Sequence, residues 1–134
     1  MSALAKILSQ RIAQHGPLNL ADYMGECLLH PDHGYYTQQE AFGRGGDFIT
    51  APEISQMFGE MIGLSLGATW QAQGAAKDAI TVELGPGRAT LMQDLRRIAP
   101  AVRGFDSLPI HMIEASPRLR QTQSDALPGV IHHS

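Results

Sequence analysis

A chain of 134 residues is long enough for one domain but short for a complete doubly wound enzyme. Its formal charge is −3 and its basic residues never gather into a run, so nucleic-acid binding has no electrostatic support. The single cysteine, Cys27, excludes an intramolecular disulfide and fits a reducing compartment.

Leu4, Ile7, Leu8 and Ile12 recur at helical spacing, so the chain opens on an amphipathic helix rather than on the apolar region of a signal peptide. Lys6 and Arg11 are too few basic residues to argue for a mitochondrial presequence, and the chain reads as cytoplasmic. The helix is expected to stop at His15-Gly16-Pro17, a glycine followed by a proline that cannot continue it. Asn19 is a good N-cap for a second helix running to about Leu29. Two turn-rich segments follow, His30-Pro31-Asp32-His33-Gly34-Tyr35-Tyr36 and the glycine-rich run 42–48. Cys27, His30, Asp32 and His33 imitate a metal-site spacing. A structural zinc usually takes more than one cysteine, so a turn with solvent-facing histidines is expected, and no metal.

Thr50-Ala51-Pro52-Glu53 matches a capping box, with Thr50 as N-cap and Glu53 reaching back, and opens a third helix to about Gln71. Gly59, Gly63 and Gly67 lie four apart on one face of it. Each costs about 1 kcal/mol of helix propensity against alanine, which makes sense if another element packs very close to the backbone. A membrane-dimer stripe is the weaker alternative, because Gln56 and Glu60 remain and the apolar stretch is short for a span. No membrane insertion is expected. After a linker at 73–78, strands are expected at 80–84 and 110–114, with a helix at about 88–98 between them. Ser116-Pro117 starts another helix, and Val130-Ile131 begins a third strand. His132 and His133 carry no readable signal. The fold class is α/β: N-terminal helices and a glycine-rich segment over 1–76, then the first half of a Rossmann-like sheet over 77–134.

The chemistry concentrates in Thr81-Val82-Glu83-Leu84-Gly85-Pro86-Gly87-Arg88-Ala89-Thr90. A short apolar run carries an acid, turns through two glycines and enters a helix, as in the ligand-binding turns of α/β proteins. A P-loop needs G-x-x-x-x-G-K-[ST], which is absent. A dinucleotide fingerprint needs a third glycine, and that position is Thr90. The remaining pattern, acid-x-G-x-G-x-small, resembles motif I of the S-adenosyl-L-methionine (SAM) methyltransferases. Glu114, at the end of the second strand, is placed to accept hydrogen bonds from ribose hydroxyls, each contributing roughly 1.5–3 kcal/mol. The alternative is a tight turn with no ligand and a surface glutamate.

Four runs carry a wider resemblance: Leu20-Ala21-Asp22-Tyr23-Met24, His30 to Tyr36 as quoted above, Gly46-Asp47-Phe48-Ile49-Thr50-Ala51-Pro52-Glu53-Ile54-Ser55-Gln56, and Val82-Glu83-Leu84-Gly85-Pro86-Gly87-Arg88. Together they resemble the MidA-type proteins, bacterial relatives of a mitochondrial complex I assembly factor. The resemblance implies a class I SAM-dependent fold and methyl transfer to arginine of a protein substrate. It implies cofactor binding by Glu83, Gly85, Pro86, Gly87, Ala89 and Glu114, with Thr50 in a lid segment over the site. Glu53 is the candidate carboxylate beside the arginine; its capping-box role is the competing account. Two departures stand out. The family usually has glycine at the position of Ala89. Family members also continue through a later Asn-Glu-Phe-Phe-Asp-Ala-Leu-Pro-like run, which this sequence lacks. An unfinished parallel sheet would leave an open edge and favour homo-oligomers. The second hypothesis is a non-catalytic assembly or scaffold module, or a truncated product, with a vestigial cofactor turn.

Overall fold

The computed structural model describes residues 1–38 and 49–133. The glycine-rich run 42–48, and with it part of the expected lid, lies outside the described residues. The chain forms two compact units, Met1–Ala41 and Phe42–Ser134. The expected boundary at 76/77 falls inside the second unit, between its long helix and its first strand.

The first unit contains α1 (Ala3–His15), α2 (Leu20–Leu29) and α3 (Tyr35–Gln38). The caps are those the residues dictate. Ser2 accepts from the Ala5 amide and Asn19 from the Asp22 amide, while Gly16 leaves the helix at φ +85°. His30 and His33 stack at 5.0 Å, and His30 Nδ1 accepts from the Asp32 amide. Among the described residues no three His, Cys, Asp or Glu side chains converge as metal ligands.

The second unit opens with α4 (Ala51–Ile54) and α5 (Gln56–Ala72). One continuous helix from Thr50 was expected, and this is corrected. Ser55 adopts an extended conformation and its hydroxyl caps the Met57 amide, so the helix restarts there. The capping box does not form: Thr50 makes no side-chain cap bond, and Glu53 bonds elsewhere. No described helix is long and apolar enough to cross a membrane.

Next come β1 (Thr81–Leu84), α6 (Thr90–Ile98), β2 (Ile110–Ile113), α7 (Pro117–Ala126) and β3 (Ile131–His133). The strands form a parallel sheet in the order β1-β2-β3, with Glu83 opposite Met112 and Met112 opposite His132. Two short 3₁₀ turns, Ala99–Ala101 and Phe105–Ser107, bring the chain back to β2. Met92 and Leu95 of α6 join Val102, Phe105, Leu108, Ile110 and Met112 in the core. Only one face of the sheet is covered this way. On the other face Val82, Leu84, Ile113 and Ile131 are exposed, Leu84 to 75%.

The glycine stripe does what its spacing implied. Gly59, Gly63 and Gly67 are buried against α6 and the turn after it. A Cβ at these positions would come within 2.6 Å of Asp94, 2.8 Å of Ile98 and 2.8 Å of Val102. The close approach seats α6, and therefore the turn that precedes it, against α5.

Candidate functional site

A cleft of about 230 Å³ opens where β1 ends. Thr50, Pro52 and Glu53 of the α4 segment form one wall. Glu83 and the turn Gly85-Pro86-Gly87-Arg88 form the floor, and Thr90 and Leu91 of α6 close it. Six of the residues singled out from sequence therefore meet in one place: Thr50, Glu53, Glu83, Gly85, Pro86 and Gly87.

The turn is built from three left-handed residues in five positions, Gly85 at φ +60°, Gly87 at +54° and Ala89 at +64°. Backbone of this kind presents N–H groups to a ligand, and the α6 N-terminus adds its dipole. The turn is tied down at both ends: Gly85 donates to the Ile113 carbonyl and Ala89 to the Pro86 carbonyl. An added Cβ at Gly85 would meet nothing within 4 Å, so the floor of the cleft is open there.

Ala89 does not line the cleft. It is 0% exposed, and it serves as the backbone N-cap of α6 in a conformation that strains any residue with a Cβ. The helix accordingly begins at Thr90 rather than at the expected 88. Ala89→Gly relieves about 1–2 kcal/mol of strain but removes a buried methyl worth about 0.8 kcal/mol. We expect it to be neutral or stabilising by up to about 1 kcal/mol, whereas Ala89→Val should cost about 2 kcal/mol or more. Urea unfolding midpoints check both, and a stabilised valine variant would contradict the argument.

Two carboxylates face the cleft. Glu53 Oε1 accepts from the Thr90 hydroxyl at 2.8 Å, which latches α4 to the start of α6. Glu83 lies deeper: burial pushes its carboxyl up to about 7, and its Oε2 is buried without a hydrogen-bond partner. A buried carboxyl oxygen lacking a donor is an incomplete arrangement, since such groups are nearly always satisfied. A cationic or N–H-bearing ligand group in the cleft would complete it.

Glu114 is not among the lining residues. It is 8% exposed at the end of β2, where Oε1 accepts from the Ser116 amide and Oε2 from Gln123. Gln123, fully buried on α7, also donates to the Gly87 carbonyl and accepts from His132. Sequence reasoning missed Gln123, Thr90 and His132 as parts of this arrangement. Thr90 was legible only as a departure from a glycine pattern. Gln123 lies 36 residues from Gly87, and nothing local marks it.

The sequence model of the family described as "Putative S-adenosyl-L-methionine-dependent methyltransferase" matches residues 61–134. Among curated proteins, the chain is 42% identical over 130 residues to "Protein arginine methyltransferase NDUFAF7, mitochondrial" of Danio rerio, covering 95% of this chain and 31% of the relative. It is 43% identical to the Drosophila melanogaster homolog, covering 91% and 28%. It is 38% identical to the Homo sapiens protein of the same name, covering 92% and 29%. The chain thus spans about 30% of the length of these relatives. The crystal structure of a COG1565 superfamily member from Burkholderia thailandensis, bound to S-adenosyl-homocysteine, superposes with a TM-score of 0.74 at 24% identity. That match covers 98% of this chain and 36% of the other, and it shows that the two share a fold.

Proposed function

Because this chain belongs to that family of S-adenosyl-L-methionine-dependent methyltransferases, we propose that the cleft at the end of β1 holds the cofactor and that the whole protein methylates arginine on a protein substrate. One observation carries the reading: the left-handed Gly85–Gly87 turn, the α6 N-terminus and Glu83, whose buried Oε2 lacks a partner, meet at one cleft. Bound there, the cofactor would supply an electrophilic methyl group on a sulfonium centre.

The chain's own residues position and orient. The glycine turn admits a ligand against the backbone, where a Cβ at Gly85 would intrude. Glu83, once ionised, pairs with an ammonium group and fills its vacant acceptor. Glu114 stands beside the turn, and each of its oxygens keeps a second lone pair for ribose hydroxyls. Glu53, held by Thr90, is the carboxylate able to orient a guanidinium and take its proton. The arginine substrate is suggested by the relatives' names. The complex I assembly role comes from the family resemblance. A cytoplasmic site of action, with Cys27 kept reduced, belongs to the same proposal. Self-association through the face of Val82, Leu84, Ile113 and Ile131 does too, and a monomeric mass by light scattering would remove it.

A second reading, a non-catalytic assembly module, is favoured by one feature: the buried Ala89 strains the cofactor turn. Calorimetric titration of the 134-residue chain with S-adenosylhomocysteine decides between them. Saturable binding supports the cofactor reading, and a folded chain that binds nothing supports a scaffold module or a fragment whose site needs the rest of the protein. Gly85→Val then locates the site. At φ +60° a β-branched residue is strained, so affinity should fall about thirtyfold or more with the helical content retained. Unchanged affinity would place the ligand elsewhere.

A further inference from the structure

We propose that Gln123 is a positioning residue that sets the shape of the turn beneath the cleft, acting through the Gly87 peptide. Its side chain is 0% exposed and joins three separate segments. Nε2 donates to the Gly87 carbonyl at 2.8 Å and to Glu114 Oε2 at 3.2 Å. The Gly87 carbonyl can only accept, so the amide nitrogen is assigned to that side and Oε1 faces His132. The His132 Nε2 lies 2.9 Å from that oxygen and therefore carries the proton. One amide thus ties the turn after β1 to the end of β2 and to β3.

The consequence for the cleft follows from peptide geometry. A trans peptide is planar, with its N–H directed opposite its C=O. Gln123 draws the Gly87 carbonyl into the interior, which turns the N–H of Arg88 the other way. Gly87 and Arg88 both line the cleft, so this N–H is aimed at whatever sits there. The turn also contains a strained Ala89, and strained backbone persists only where its surroundings over-determine it. Glu114 and His132 are the titratable groups bonded to Gln123, and Glu114 is further held by the Ser116 amide that opens α7.

The inference about cofactor affinity rests on the proposed function; the inference about the turn does not. Two measurements keep them apart. The first is amide hydrogen exchange without ligand. In Gln123→Met, which keeps length and loses both donors, the Ala89 amide should exchange about tenfold faster while the α5 amides stay unchanged. The second is S-adenosylhomocysteine affinity, expected to fall about tenfold in the same variant. Gln123→Glu adds a pH signature. Below the carboxyl pKa its single O–H restores one of the amide's two donated bonds, whereas at pH 8 the carboxylate donates none. Its affinity relative to wild type should therefore recover on acidification.

Should Gln123→Met fail to fold, His132→Phe leaves the buried Gln123 Oε1 without its donor, loosens the amide and should speed Ala89 exchange about threefold. Exchange at Ala89 within twofold of wild type in the folded variants overturns the proposal, as does an Nδ1–H tautomer of His132 in ¹⁵N NMR. Faster exchange in a chain whose wild type binds no S-adenosylhomocysteine would uphold the positioning role and sink the cofactor reading.

Discussion

Gly59→Ala should destabilise the second unit by about 2 kcal/mol, while Gly25→Ala stabilises the first by up to about 1 kcal/mol. Both glycines sit inside helices, so helix propensity alone favours alanine equally at each. Packing separates them. A Cβ at Gly25 meets nothing within 4 Å. A Cβ at Gly59 lies 2.6 Å from Asp94 Cβ and 3.0 Å from the Leu91 carbonyl, and neither can swing aside because both belong to the body of α6. The helices must separate, and the Asp94–Arg97 bond at 2.7 Å and the core beneath would loosen with them. Overpacking of this kind costs about 1–3 kcal/mol, which exceeds the propensity gain. Gly59→Leu should cost about 4 kcal/mol or more, enough to unfold a marginal unit. Trp70, the chain's single tryptophan, packs on Phe105 and reports the unfolding of this unit by fluorescence. Circular dichroism reports the Gly25 variant. Equal effects at the two sites would contradict the α5–α6 packing.

The second large effect concerns Glu83 and pH. Burial disfavours the charged form and pushes its carboxyl from the ordinary 4.5 up to about 7 in the folded chain. Between those values the folded state holds the proton more tightly than the unfolded state. The stabilisation is fully present below about pH 4.5 and is lost as pH rises through 7. Glu83→Gln should remove this slope and raise the melting temperature most at pH 8.

Ligand affinity should run the opposite way. An ammonium group pairing with Glu83 needs the carboxylate, so binding below pH 7 releases a proton. Affinity for S-adenosylhomocysteine is expected to rise by up to about tenfold per pH unit towards 7 and then level off. In Glu83→Gln the profile should be flat and lie below the wild-type plateau. Calorimetry in buffers of different ionisation enthalpy reads the released proton directly. A pH-independent affinity in wild type would remove Glu83 from the binding machinery, and a Gln variant that binds equally well would do the same.

What the sequence shows by itself is local. Helix ends announced themselves through Asn19, Gly16 and Ser116, because capping involves only residues within three or four positions. The strands, and the acid and glycines between β1 and α6, were legible because the Glu83–Gly87 turn is closed over a few residues. Where local signals competed, the reading failed. Thr50 and Ser55 both offer a cap, and the backbone at Ser55 interrupts the helix while Glu53 is drawn to Thr90. The glycine stripe revealed that something approaches α5 closely, yet only the packed structure identified α6.

The sequence by itself determined the element order, the turn and the acids at its edge, since each depends on neighbours along the chain. Tertiary structure alone decided three things. Burial left one oxygen of the Glu83 carboxyl without a partner and raised the carboxyl's pKa. Packing tied Glu114 into bonds with Ser116 and Gln123. Folding also brought Gln123 and His132 beneath the glycine turn. The physical reason is the same in each case. Desolvation and hydrogen-bond satisfaction are properties of a packed neighbourhood, assembled from residues tens of positions apart, and no short window of sequence contains them.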